Sequence, residues 1–172
     1  MTGPVVFLCT GNAARSVMGG AALAAHLPDW TIDTAGTLVV EGQPMSWRTR
    51  AALEGVGLPV PNHRSRQATV DDLDTAALVI ALAPEHVAWV RRTHPRAAGR
   101  TSTLRRLVRD LAPGPAPLAE RLAALDLAGV ELEDWEEVVD PGGGDADVFA
   151  ACAVEVAALV AELAPRLEDA DH

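Results

Sequence analysis

Tyrosine is absent from the 172 residues, and cysteine occurs only twice, as Cys9 and Cys152. The first absence leaves no phenol in the chain for a kinase to modify and no tyrosine ring to wall a pocket. Two cysteines so far apart do not form a disulfide framework. Positive charge is also scarce: 14 Lys and Arg stand against 24 Asp and Glu, a formal charge of −10. That balance argues against nucleic acid or an anionic membrane as a general partner, so an anionic ligand must be captured by a local basic site. No apolar run reads as long enough to span a bilayer and no signal peptide precedes the first apolar segment, so the expected compartment is the cytoplasm. No Gly-Lys-Ser/Thr follows the first loop glycine, which sets aside a nucleotide-binding loop. There is no internal repeat. What the chain does have is 49% hydrophobic residues, enough for one packed domain over residues 1–172.

The most informative stretch lies near the start. Val5-Val6-Phe7-Leu8 reads as a buried strand, and it stops at Cys9, after which Gly11-Asn12 tolerates a left-handed backbone. From Arg15 to Leu27 the sequence is apolar at helical spacing. The intervening loop therefore brings backbone N–H groups of Thr10, Gly11, Asn12, Ala13, Ala14 and Ser16 and a helix N-terminus to one spot suited to an anion. Cys9 and Arg15 face one another across it. The helix N-terminus and Arg15 both favour the thiolate of Cys9, making it a nucleophile, and the Arg15 fork can grip two oxygens of a tetrahedral oxyanion. The alternative for Cys9 is a small buried hydrophobe at a strand end.

Further along, Trp30 to Ala35 reads as a second strand ending at Gly36, which completes a βαβ unit and implies parallel pairing. A helix is expected from Pro44 to Glu54, capped by Ser46, with Arg48 and Arg50 on its solvated face. Within it, Trp47 is read as packing, with an aromatic wall as the alternative. The basic cluster around Arg64 and Arg66 is either ordinary surface or a recruiter of acidic or phosphorylated partners. Thr69 to Leu73 has capping-box spacing, Ala77 to Leu82 reads as a buried third strand, and Pro84 opens another helix with Trp89 and Val90 inward. A short fourth strand is expected over Arg100–Leu104, then a helix to Leu111, a proline-rich turn over 112–117 and an amphipathic stretch from Leu118 to Leu127. The acids from Glu131 to Glu137 read as a solvated face. Cys152, among alanines at a helical position, reads as core. Asp140-Pro141-Gly142-Gly143-Gly144-Asp145 reads by itself as a turn before the last helix, with Asp145 its N-cap.

The segment CTGNAARS directly after the first strand resembles the Cys-x5-Arg-Ser signature of the low-molecular-weight protein tyrosine phosphatases and of the arsenate reductases on the same fold. The TAGT turn at Gly36, HRSRQATVDDL from His63 and VDPGGGDADVF around Asp140 resemble further family segments. The resemblance implies a three-layer α/β domain: a four-stranded parallel sheet of order 2-1-3-4 with helices on both faces. It implies that Cys9 attacks phosphorus while Arg15 and the loop N–H groups hold the oxygens, with no metal or other cofactor. Asp140 becomes the general acid, Asp145 or Asp147 being the substitutes if the glycines bend the loop differently. Ser16 hydrogen-bonds the thiolate, and His63 supports Asn12, a plain surface histidine being the alternative.

The substrates so implied are phosphotyrosine or aryl phosphate monoesters, cleaved through a phosphocysteine, in a phosphorylated protein or a small ester. Two departures qualify this. Gly142 and Gly143 stand where eukaryotic relatives carry two tyrosines, and Leu82-Ala83 stands where many carry Met-Asp. Arsenate reductase is the rival on the same loop. No cysteine pair near the third strand supports a thioredoxin-coupled route, whereas a small external thiol such as mycothiol would need only Cys9. A non-catalytic phosphate-binding module is the third reading.

Overall fold

The computed structural model describes residues 3–169; the ends of the expected 1–172 domain lie outside them. Four strands form one parallel sheet in the order β2-β1-β3-β4, as the resemblance implied. They are β1 (Val5–Cys9), β2 (Ile32–Gly36), β3 (Leu78–Ala81) and β4 (Thr101–Thr103). Val5 pairs with both Ile32 and Leu78, so β1 is central and its C-terminal end is flanked on both sides.

Side chains alternate across the sheet, as strand geometry demands. Val5, Phe7, Leu78 and Ile80 enter one core with helices α1 (Arg15–His26), α2 (Trp47–Gly55), α5 (Leu104–Asp110), α6 (Leu118–Ala123) and α7 (Ala146–Leu167). Val6, Leu8 and Val79 enter the opposite core, with α3 (Val70–Thr75) and α4 (Pro84–Thr93). Two adjacent glycines let α1 lie close on the sheet. A Cβ at Gly19 would sit 2.4 Å from the Phe7 ring, and one at Gly20 would sit 2.6 Å from Thr34 Cγ2. Burying Phe7 completely is worth about 2–3 kcal/mol, and any side chain at position 19 would displace it.

Several boundaries differ from the sequence reading. The second strand starts at Ile32, because the Trp30 N–H turns back to Leu27 O. Arg100 ends a 3-10 turn over Pro95–Arg100 rather than opening β4; its guanidinium donates to the carbonyls of Leu73 and Ala76. The stretch from Leu118 is helical only to Ala123, and Asp126 adopts a left-handed φ of 50°. Trp47 is 61% exposed, not packed, because it begins α2 away from the buried Thr49, Ala52 and Leu53. Arg48 is half-buried, its guanidinium 4.9 Å from the Trp47 ring, while Arg50 is solvated.

The acidic run is not wholly solvated. Glu136 is fully buried and accepts from Arg106 Nε and Nη2, both at 2.8 Å, and from Thr103 Oγ1 at 2.8 Å. Burial opposes the Glu136 charge, yet the hydrogen bonds from Arg106, from the Glu133 N–H and from Thr103 outweigh it and hold the carboxyl below its ordinary range. Among the described residues one helix, α7 at 22 residues, is long and apolar enough to cross a membrane by length and composition, contrary to the sequence reading. Here its Cys152, Val156, Val160 and Leu163 enter the core shared with α1 and α2.

Candidate active site

The loop between β1 and α1 is held from outside by its own carbonyls. The Thr37 N–H donates to Cys9 O at 2.9 Å, and the Leu38 N–H donates to Thr10 O at 3.0 Å. Thr49 Oγ1, at the start of α2, donates to Ala13 O at 3.2 Å. Asn12 O lies 2.7 Å from His63 Nε2 and accepts from Ser65 Oγ at 2.9 Å. With the carbonyls engaged outward, the N–H groups of Gly11, Asn12, Ala13 and Ala14 find no acceptor within the protein among the described residues. They are donors for an anion.

Asn12 is the keystone of that arrangement. Its φ of 50° is the left-handed conformation that the Gly-Asn pair led us to expect. Its fully buried side chain accepts from the Arg66 N–H at 3.0 Å and donates to Ser16 Oγ at 2.9 Å. Gly36 closes the wall behind it, since a Cβ there would meet Thr10 O at 2.4 Å and Asn12 N at 3.0 Å.

Cys9 Sγ lies 3.1 Å from Ser16 Oγ. With Cys9 as a thiol, the sulfur donates to that oxygen, which also accepts from Asn12; with Cys9 as a thiolate, the hydroxyl's own proton is free to turn to sulfur. Arg15, only 3% exposed, donates through Nη1 to Val138 O at 3.0 Å, and its Nη2 lies 3.7 Å from Asp140 Oδ2. Cys9, Gly11, Ala13, Arg15, Asp140 and Phe149 line one cleft of about 280 Å³.

Among the three candidate carboxylates the cleft contains Asp140 alone. Asp140 is largely exposed, with Oδ1 accepting from the Gly142 N–H at 2.9 Å. Asp145 is engaged as the N-cap of α7, accepting from the N–H groups of Asp147 and Val148. Arg66 is also engaged, in a 2.8 Å pair with Asp72, whereas Arg64 is exposed. Thr10, Asn12 and Ser16 direct their side-chain hydrogen bonds to protein partners, so any substrate contact they make is through the backbone or, for Thr10, a remaining hydroxyl proton. Cys152 is buried in α7, and burial pushes its thiol up to about 11, so it stays protonated.

His86 is a site residue that sequence reasoning missed. It sits in the first turn of α4, fully buried, with Nε2 3.0 Å from Thr10 Oγ1. Burial and then the charge of Arg15 push it down to about 3, with Asp140 acting weakly the other way. The available signal was its place just after β3, at the carboxyl ends of the strands where open α/β folds bind ligands.

Residues 4–122 match the family model described as low molecular weight phosphotyrosine protein phosphatase. A protein-arginine-phosphatase of Geobacillus stearothermophilus is 28% identical over 165 residues, 95% of each chain. The solved structure of the arginine phosphatase from that organism gives a TM-score of 0.76 at 27% identity, covering 96% of this chain and 92% of the other. A low molecular weight protein tyrosine phosphatase from T. tengcongensis gives 0.73 at 27% identity, over 94% and 97% of the two chains. With well over half of its length matched by the family model, and a cysteine-arginine anion loop at the end of its central strand, the chain belongs to the low molecular weight phosphotyrosine protein phosphatase family of enzymes.

Proposed function

We propose that this phosphatase hydrolyses aryl phosphate monoesters, phosphotyrosine in proteins among them, through a phosphocysteine. The observation that carries the reading is that Cys9, Arg15 and Asp140 line one cleft together with Gly11, Ala13 and Ala14 of the loop, whose N–H groups find no acceptor among the described residues. Cys9 thiolate attacks phosphorus in line, the bond from phosphorus to the ester oxygen breaks, and Asp140 gives its proton to the departing oxygen. Loop N–H groups and Arg15 stabilise the equatorial oxygens. In the second half Asp140 takes a proton from water as it attacks phosphorus, and the S–P electron pair returns to sulfur beside the Ser16 hydroxyl. Because the nucleophile works only when reduced, the reading favours a reducing compartment, the cytoplasm.

Phosphoarginine in proteins is the second substrate reading. Two observations favour it: the relative aligned over 95% of the chain is named an arginine phosphatase, and Gly142 and Gly143 offer no aromatic ring to stack on a phenol. Asp140→Asn tests the mechanism shared by both readings. With phenyl phosphate, kcat should fall by about 10²–10³, and with a dinitrophenyl ester, whose leaving group needs no proton, the fall should be under about tenfold. Equal losses with both esters would remove Asp140 as the acid. Peptides carrying phosphotyrosine or phosphoarginine, compared by kcat/KM, then decide the substrate.

A further inference from the structure

We propose that His86 is a positioning residue that fixes the proton polarity of the Thr10 hydroxyl, and through it one donor of the anion loop. The inference rests on the reading of Cys9 as nucleophile and concerns the residue directly after it.

The geometry assigns the tautomer. Nε2 has two oxygen neighbours, Thr10 Oγ1 at 3.0 Å and Glu85 Oε1 at 3.5 Å. Nδ1 is buried with no partner among the described residues. A proton on Nδ1 would be a buried donor without an acceptor, whereas a proton on Nε2 has a hydroxyl and a carboxylate to receive it. The imidazolium is opposed by burial and by Arg15, and by the N-terminal end of α4 on which His86 sits. His86 is therefore the neutral Nε2–H form, and it donates to Thr10.

A hydroxyl has one proton. Once Thr10 Oγ1 accepts from His86, its own proton is available to an acceptor on the other side. Thr10 directly follows the nucleophile in the anion loop, and we infer that its free proton serves the Cys9 sulfur or an oxygen of the bound phosphoryl group during turnover. A fixed donor aimed at developing charge needs no reorientation in the transition state, which is where such dipoles accelerate a reaction. Without His86 the Thr10 hydroxyl becomes a free rotor that can present its lone pairs instead.

The test is a double-mutant cycle with aryl phosphate, using His86→Phe and His86→Gln in the wild type and in Thr10→Val. His86→Phe should lower kcat about tenfold with KM nearly unchanged, the effect of one oriented donor. His86→Gln, which keeps an amide donor, should recover most of that loss. In Thr10→Val, His86→Phe should cost nothing further, because the hydroxyl it orients is gone. An equal loss in both backgrounds would overturn the inference and leave His86 a packing residue. The ¹⁵N NMR spectrum of the wild-type imidazole should show protonated Nε2 from pH 5 to 8, and protonation at Nδ1 would overturn it independently of activity. Cys9→Ser, assayed in parallel, tests the nucleophile by itself: hydrolysis persisting there would overturn that reading without altering the tautomer or the cycle.

Discussion

Glu136→Gln should destabilise this protein by about 3 kcal/mol. The carboxylate is fully buried, and both its oxygens are taken by Arg106 at 2.8 Å, with Thr103 Oγ1 and the Glu133 N–H as further donors. Glutamine has nearly the same shape but turns an amide NH₂ toward a guanidinium, leaving buried donors without an acceptor. Removing one partner of a buried pair costs about 3–5 kcal/mol. The low end applies, because Arg106 keeps Asp110 at 3.3 Å and Glu133 at 3.5 Å. For a chain of this size, each kcal/mol shifts Tm by about 2–4 °C, so the melting temperature should fall by about 6–12 °C at pH 7.

The loss is pH-dependent with a definite sign. A carboxyl held below its ordinary value stabilises the fold fully above its unfolded pKa, here 4.5, and loses that stabilisation as pH falls through the lower folded value. The gap between wild type and Glu136→Gln, measured by calorimetry, should therefore be constant above about pH 6 and narrow below about pH 4. Arg106→Met combined with Glu136→Leu should recover much of the loss, since an apolar pair carries no desolvation penalty. A Tm shift under about 2 °C at pH 7, or a gap that widens in acid, would refute the reasoning. The pair also bears on the site, because Glu136 lies two residues before Val138, whose carbonyl holds Arg15, and four before Asp140.

Gly36→Ala should reduce kcat/KM by about 10² or more, because the added methyl meets two backbone atoms of the anion loop and loops displaced by an ångström lose that much; a Tm gain on adding phosphate that is smaller than in the wild type would report the same damage. Ser16→Ala should slow turnover by about 10–100-fold, by taking the hydroxyl from Cys9 and the acceptor from Asn12. Rapid-quench kinetics should show the phosphoenzyme accumulating in that variant, and unchanged steady-state rates would remove Ser16 from the mechanism.

The anion loop was legible because its parts are contiguous. Cys9, Asn12, Arg15 and Ser16 lie within eight residues, and the Gly-Asn pair announces the left-handed turn that the structure contains. The sheet order followed from the family resemblance, and β1 carries the alternation that splits the two cores. His86 and Glu136 were not legible, because their roles depend on elements that meet only in three dimensions. His86 is 76 residues from Thr10, and Glu136 is 30 from Arg106. A glutamate inside an acidic run looks solvated until an arginine from another helix reaches it. Trp47 shows the converse: a large aromatic within a helical pattern reads as core, yet it occupies the first turn of α2 on the side facing solvent.

The most direct test is hydrolysis of an aryl phosphate by the wild type and by Cys9→Ser, alongside arsenate reduction with a small thiol. Hydrolysis that disappears in Cys9→Ser, with no arsenate turnover by either protein, is the result predicted here. Hydrolysis that survives the loss of the thiol, or arsenate reduction without hydrolysis, would contradict it.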